Sequence, residues 1–65
     1  MEHFQNLDLS VLTERQREVV EMHYDSRLSF GAIALLLNLS KATVQTHHAR
    51  ALEKLLDAMS YGQDL

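Results

Sequence analysis

Cysteine, proline and tryptophan are absent from this sequence, and glycine occurs only twice. Without cysteine, neither a disulfide framework nor a thiolate zinc site can hold the fold, and the composition suits a reducing cytoplasm. Without proline, repeats or low-complexity tracts, no linker boundary can be drawn, so the 65 residues make one domain with room for a single core. A chain this short hides only about 60% of the surface its unfolded form would expose, so its stability is expected to be marginal. Aromatic residues are also scarce, with two Tyr and two Phe, and the core must be built from Leu, Val, Ile and Met. The longest apolar run, Ala32 to Leu37, is about a third of a membrane span. Met1-Glu2-His3 lacks the positive start of a signal peptide. The expectation is a soluble, cytoplasmic chain that does not enter a membrane.

Positive charge is the other shortage. Six Lys and Arg against nine Asp and Glu give a net charge of −3, where a nucleic-acid-binding domain is usually basic. The charges are unevenly placed. From Ser26 to Lys54, Arg27, Lys41, Arg50 and Lys54 oppose only Glu53, a balance of +3; the remainder carries two cations against eight acids, a balance of −6. That polarity fits a basic face on an acidic back. With so few cations, phosphate contacts are few and counterion release contributes modest affinity.

Signs of catalysis are lacking. No nucleophile elbow, phosphate-binding glycine loop or carboxylate cluster is present, so the chain is not expected to be an enzyme and no cofactor is implied. The four histidines do not have metal-ligand spacing: His47 and His48 are adjacent and project about 100° apart, whereas a helical pair needs i and i+3 or i+4. His48, on an apolar stripe, and His23, on another, read as packed or half-buried imidazoles, and no metal site is expected.

What is present is helical periodicity. Thr13-Glu14-Arg15-Gln16 forms a capping box, so a helix is expected from about Glu14 to Asp25 or Ser26, with Val19, Val20 and His23 on its apolar side and Met22 and Tyr24 at the margins. Before it, Phe4, Leu7 and Val11 are helically spaced while Asp8 and Ser10 suit a turn, giving a short helix or an ordered arm. Ser29 can cap a second helix through Leu37, with Phe30, Ile33, Ala34 and Leu37 buried and Leu35 and Leu36 widening that side. Gly31 lies in its first turn, where a close helix contact would offset its low propensity. Asn38 tolerates the left-handed backbone of a tight exit, and Ser40 can cap a third helix from Lys41 to about Ser60, with Gly62 as a stop signal. In this last helix Val44, His48, Ala51, Leu52, Leu55 and Met59 share a packing face, while Ala42, Thr43, Thr46, Ala49, Arg50 and Glu53 face away. Two helices joined by the tripeptide Asn38-Leu39-Ser40 predict a helix-turn-helix. The fold class is therefore all-α, a small three- to four-helix domain.

The residues Leu12-Thr13-Glu14-Arg15-Gln16-Arg17-Glu18-Val19-Val20, Leu28-Ser29-Phe30, Ile33-Ala34, Leu39-Ser40, Thr43-Val44 and Ala49-Arg50-Ala51-Leu52-Glu53-Lys54-Leu55 together resemble region 4 of the bacterial sigma-70 family, the module that reads the promoter −35 element. More distantly they resemble the LuxR and GerE type of regulator. The resemblance implies a domain over residues 13–60, an arm or short helix over 1–12 and a tail over 61–65. It implies double-stranded promoter DNA as one partner and the flap of the RNA polymerase β subunit as another. Departures are informative: the family often has glycine where this chain has Arg27 and Asn38, so both turns are expected to be slightly strained. A glutamate common after Gly31 is here Ala32, so the second helix is capped less firmly. Charged residues common at the positions of Ala42, Gln45 and His47 are here largely neutral. Nothing resembling the −10-reading region precedes the domain, so the chain is expected to be a fragment or a stand-alone regulator rather than a complete sigma factor.

A recognition helix inserts its N-terminal half into the major groove, which places Lys41, Ala42, Thr43, Gln45 and Thr46 nearest the base edges. Gln45 can offer a donor and an acceptor to adenine, Thr46 can contact a base or a thymine methyl, and Ala42 can meet that methyl too. Lys41 and Arg50, with Ser40, Thr43 and His47, suit phosphate contacts that fix the register. The alternative is a protein-interaction module or antagonist that binds RNA polymerase or a sigma factor through the acidic back without reading DNA. Self-association through Leu55, Leu56 and Met59, or through Phe4 and Leu7, would give a homodimer.

Overall fold

The structure, a computed structural model, describes residues 9–63, with side chains as far as Met59. The expectations for Phe4, Leu7 and Asp8 and for the last residues of the tail lie outside the described residues. A 3-10 turn, Leu9–Val11, leads into helix α1, Glu14–Val20, which continues as a π-helical turn, Glu21–Asp25. Helices α2, Phe30–Leu37, and α3, Lys41–Gln63, follow. There is no strand among the described residues, and the all-α helix-turn-helix expected from periodicity is what the chain forms.

Each helix starts where its capping residue says it should. Thr13 Oγ1 accepts from the Gln16 N–H while Gln16 Oε1 accepts from the Thr13 N–H, both at 3.1 Å, completing the capping box. Ser29 Oγ accepts from the Ala32 N–H at 3.1 Å, with no returning side chain at Ala32. The exit of α2 is a Schellman motif: Asn38 sits at φ 60° and ψ 44°, the Leu39 N–H donates to Ala34 O at 2.9 Å, and the Asn38 N–H donates to Leu35 O at 3.3 Å. Arg27 leaves α1 with φ 58°. Left-handed backbone costs a residue with a Cβ about 1–2 kcal/mol, so Arg27 and Asn38 carry the strain expected of both turns.

The core has two lobes on either side of α1. Val19, Ile33 and Val44, one from each helix, have no exposed surface and with Ala34 fill the helix-turn-helix lobe, flanked by Met22, Leu28, Phe30, Leu37 and Leu39. Val20, Ala51, Leu12 and Leu55 fill the other lobe, with Leu9 and Tyr24 against it. Adjacent valines thus serve different lobes, because neighbours on a helix point about 100° apart. Lys54 Nζ bridges the ends of the second lobe, donating to Gln16 Oε1 at 3.0 Å, so the buried amide links the start of α1 to α3.

Four expectations are corrected. Leu35 and Leu36 are 85% and 64% exposed, because α2 is covered only along the arc of Ile33, Ala34 and Leu37, and the two leucines lie round its outer side. Met59 is 43% exposed rather than packed, a turn of α3 beyond the core residue Leu55. Gly31 meets no partner helix: a Cβ there would find only Ser29 Oγ, at 3.9 Å. Gly62 does not stop α3, which continues to Gln63.

Candidate nucleic-acid interface

The first three turns of α3 stand on Val44, which is fully buried, while Lys41, Ala42, Thr43, Gln45, Thr46, Ala49 and Arg50 are exposed. Alternation of this kind follows from the 3.6-residue period, and here it separates an inner face that is apolar but for His48 from an outer one that carries no acid before Glu53. Ser40 accepts the Thr43 N–H at 3.0 Å and spends its hydroxyl hydrogen on Thr43 Oγ1 at 2.9 Å. The Thr43 hydroxyl, an acceptor in this bond, keeps its own hydrogen to donate. Ser40, also exposed, lies at the positive end of the α3 dipole, where no acid occupies the first turn.

Thr46 differs from Thr43 in a way that matters for recognition. Its hydroxyl donates to Ala42 O at 3.1 Å, one turn back along its own helix, so the donor is spent. Lys41, Gln45 and Arg50 make no side-chain hydrogen bond among the described residues. They are free to meet an outside partner. His47 is half-buried at the edge of this face. Of the cations between Ser26 and Lys54, Lys54 is occupied by Gln16, which leaves Arg27, Lys41 and Arg50 exposed to solvent.

On the inner side, α3 meets a cluster of rings that periodicity alone did not reveal. His23 stacks on Phe30 with centroids 4.3 Å apart and meets Tyr24 and His48 edge-on at 4.7 and 5.4 Å. Tyr24 Oη and His48 Nε2 are 2.7 Å apart, and His23 Nδ1 donates to Leu28 O at 2.8 Å. Burial holds the His48 imidazole below its ordinary pKa of 6.5, and the neighbouring His23 adds repulsion in the same direction. These four rings connect the π turn, the start of α2 and the middle of α3, so the imidazoles are packed groups, as their positions on apolar stripes predicted. Among the described residues no three His, Asp or Glu side chains gather as a metal cluster, and no helix is long and apolar enough to cross a membrane.

An exposed, acid-free helix face, cap-first and standing on a buried valine, is the arrangement of a bihelical DNA reader. The model of the family described as Sigma-70, region 4 matches residues 9–55. The chain belongs to the sigma-70 region 4 family. Its matched segment runs from the 3-10 turn to Leu55, the last core residue of α3 among the described side chains, so it takes in both core lobes. No curated protein and no solved structure gives a significant match. Region 4 domains are DNA-binding helix-turn-helix modules of transcription regulation rather than enzymes, and membership places this chain in that functional class.

Proposed function

We propose that the chain is a sigma-like regulator that reads double-stranded promoter DNA with the outer face of α3 and is held in place by RNA polymerase, at the flap of the β subunit. The observation that carries this reading is the division of α3: Val44 and Ala51 lock it from within, and Lys41, Gln45 and Arg50 stand outside it with no internal bond. Ala42, Gln45 and Thr46 are assigned to base edges. Ser40, Lys41, Thr43, His47 and Arg50 are assigned to phosphates, with the Thr43 hydroxyl and the positive helix end reinforcing two modest charges. We assign residues 13–60 to the domain, 1–12 to an arm or short helix and 61–65 to a tail, and the domain works in the cytoplasm with the polymerase.

A net charge of −3 makes the isolated chain a weak DNA binder. Tethering to polymerase raises the effective local concentration and relaxes that requirement. The test is binding to a labelled promoter duplex over a salt series, with and without RNA polymerase, for wild type, Gln45→Ala and Arg50→Ala. Both substitutions should weaken binding in each setting. Binding that ignores both overturns the assignment of α3.

A second reading has its own observation. Leu35 and Leu36 stand in solvent on α2, away from the α3 face, and large exposed apolar residues commonly mark contacts with protein. An antagonist of polymerase or of a sigma factor would use them with the exposed acids Glu14, Glu21 and Asp25 and leave DNA alone. Co-purification with such a partner, without retention on DNA even when polymerase is present, favours this reading. Leu56 and Met59, exposed on the end of α3, are the described residues a homodimer would use, and sedimentation at two concentrations decides that point.

A further inference from the structure

We infer that α3 reads thymine by its C5-methyl group, through the γ-methyl of Thr46 set between Ala42 and Ala49, and therefore selects A·T pairs over G·C pairs. The inference rests on the reading that the outer face of α3 enters the major groove. A threonine on a recognition helix has two ways to meet a base, through its hydroxyl or through its methyl, and the sequence leaves both open. The structure decides between them. Thr46 Oγ1 donates to Ala42 O at 3.1 Å, which fixes the hydroxyl against the helix and spends its hydrogen. The oxygen can no longer donate to guanine O6 or N7 or to thymine O4. The γ-methyl, on the other branch of Cβ, is the part of this exposed side chain left untied.

Its surroundings agree. Ala42, Thr46 and Ala49 lie at i, i+4 and i+7 on one exposed stripe, and the two alanines are short enough to let the helix approach the groove floor closely. Three methyl groups in line offer an apolar surface of a kind that complements thymine. Cytosine lacks the methyl, and guanine is read chiefly by Arg or Lys, neither of which occurs between Ala42 and Ala49. Gln45, beside the stripe and unbonded, carries the amide donor and acceptor that match adenine N7 and N6. Adenine and thymine are thus both provided for on one short face, and between Ala42 and Ala49 that face has no Arg or Lys to favour guanine.

The test uses short duplexes of mixed A·T sequence, the same duplexes with deoxyuridine for thymidine, and G·C duplexes with cytosine or 5-methylcytosine, all at low salt. Replacing thymidine by deoxyuridine removes only the methyl, which separates methyl readout from the groove-shape effects that confound A·T with G·C. Wild type should bind the thymidine duplex more tightly than its deoxyuridine counterpart by about fourfold for each methyl buried. It should bind G·C duplexes more weakly and recover part of that loss on 5-methylcytosine. Thr46→Ser keeps the hydroxyl and its bond to Ala42 but lacks the methyl, so it should fail to distinguish thymidine from deoxyuridine; Thr46→Val should still distinguish them. Thermal unfolding by circular dichroism verifies that both variants are folded. Equal affinity of wild type for the thymidine and deoxyuridine duplexes, while it binds both, overturns the inference and leaves DNA reading standing. Failure to bind any duplex, with RNA polymerase present as well as without it, overturns the DNA reading itself.

Discussion

The inner and outer faces of α3 are written in different chemistry, although they alternate within the same few turns. The inner face, Val44, His48, Ala51 and Leu55, is apolar except for one imidazole, and three of its members are at most 4% exposed. The outer face, Ala42, Gln45, Thr46, Ala49 and Arg50, is exposed throughout and contributes nothing to either core lobe. A single helix therefore has two separable functions: the inner residues decide whether the domain exists, and the outer ones decide what it meets. If the division is real, substitutions on the two faces must produce different symptoms.

The largest effect belongs to the inner face. Leu55→Ala should lower the unfolding free energy by about 2–5 kcal/mol, a large share of the roughly 3–10 kcal/mol a domain of this size holds. Urea unfolding measures it, and DNA binding should fall in parallel because the folded fraction falls. Arg50→Ala should leave the urea midpoint nearly unmoved and instead reduce the salt dependence of DNA binding, with the log–log slope shallower by about 0.9 for one lost phosphate contact. A stability loss in Arg50→Ala comparable to that of Leu55→Ala would break the division.

Two smaller effects sharpen it, one away from both faces and one at the single imidazole of the inner face. Arg27→Gly removes the left-handed strain at φ 58°, and relief of about 1–2 kcal/mol against the 0.5–1 kcal/mol entropic cost of glycine leaves a gain of about 0.5 kcal/mol. Differential scanning calorimetry should show a higher midpoint, and Asn38→Gly should gain less, because asparagine tolerates this conformation. The smallest effect is the pH dependence of the ring cluster. His48 has a folded pKa below its ordinary 6.5, so as pH falls through that value the unfolded chain binds a proton before the folded one does. Stability is then highest above pH 6.5 and declines below it until the folded form also protonates. An unfolding midpoint that stays flat from neutral to mildly acidic pH in wild type, or a decline unchanged in His48→Leu, would count against the packed imidazole.

Much of this architecture was legible in the sequence, because caps and turns are local. Thr13 with Gln16, Ser29, Asn38 and Ser40 each act on backbone groups a few residues away, so residue type and spacing suffice to place them. The outer face was legible for the same reason, as the complement of an apolar stripe. What was not legible depends on distant partners. Leu35 and Leu36 belong to an α2 that is apolar almost all round, and only the positions of α1 and α3 determine which arc is covered. The bond between Lys54 and Gln16, the meeting of Tyr24 with His48 and the π turn that carries His23 and Tyr24 toward the other helices all join residues far apart in the chain or depend on their packing. The choice between the hydroxyl and the methyl of Thr46 turned on a rotamer, which a sequence does not specify.

The central claim is that the outer face of α3 is where DNA binds. Backbone amide chemical shifts, followed by nuclear magnetic resonance as a promoter duplex is titrated into the labelled protein, test it most directly. The largest shifts are expected between Ser40 and Arg50, with Leu35, Leu36, Leu56 and Met59 little affected. Shifts concentrated at those four residues, with Ser40 to Arg50 unmoved, would contradict the account.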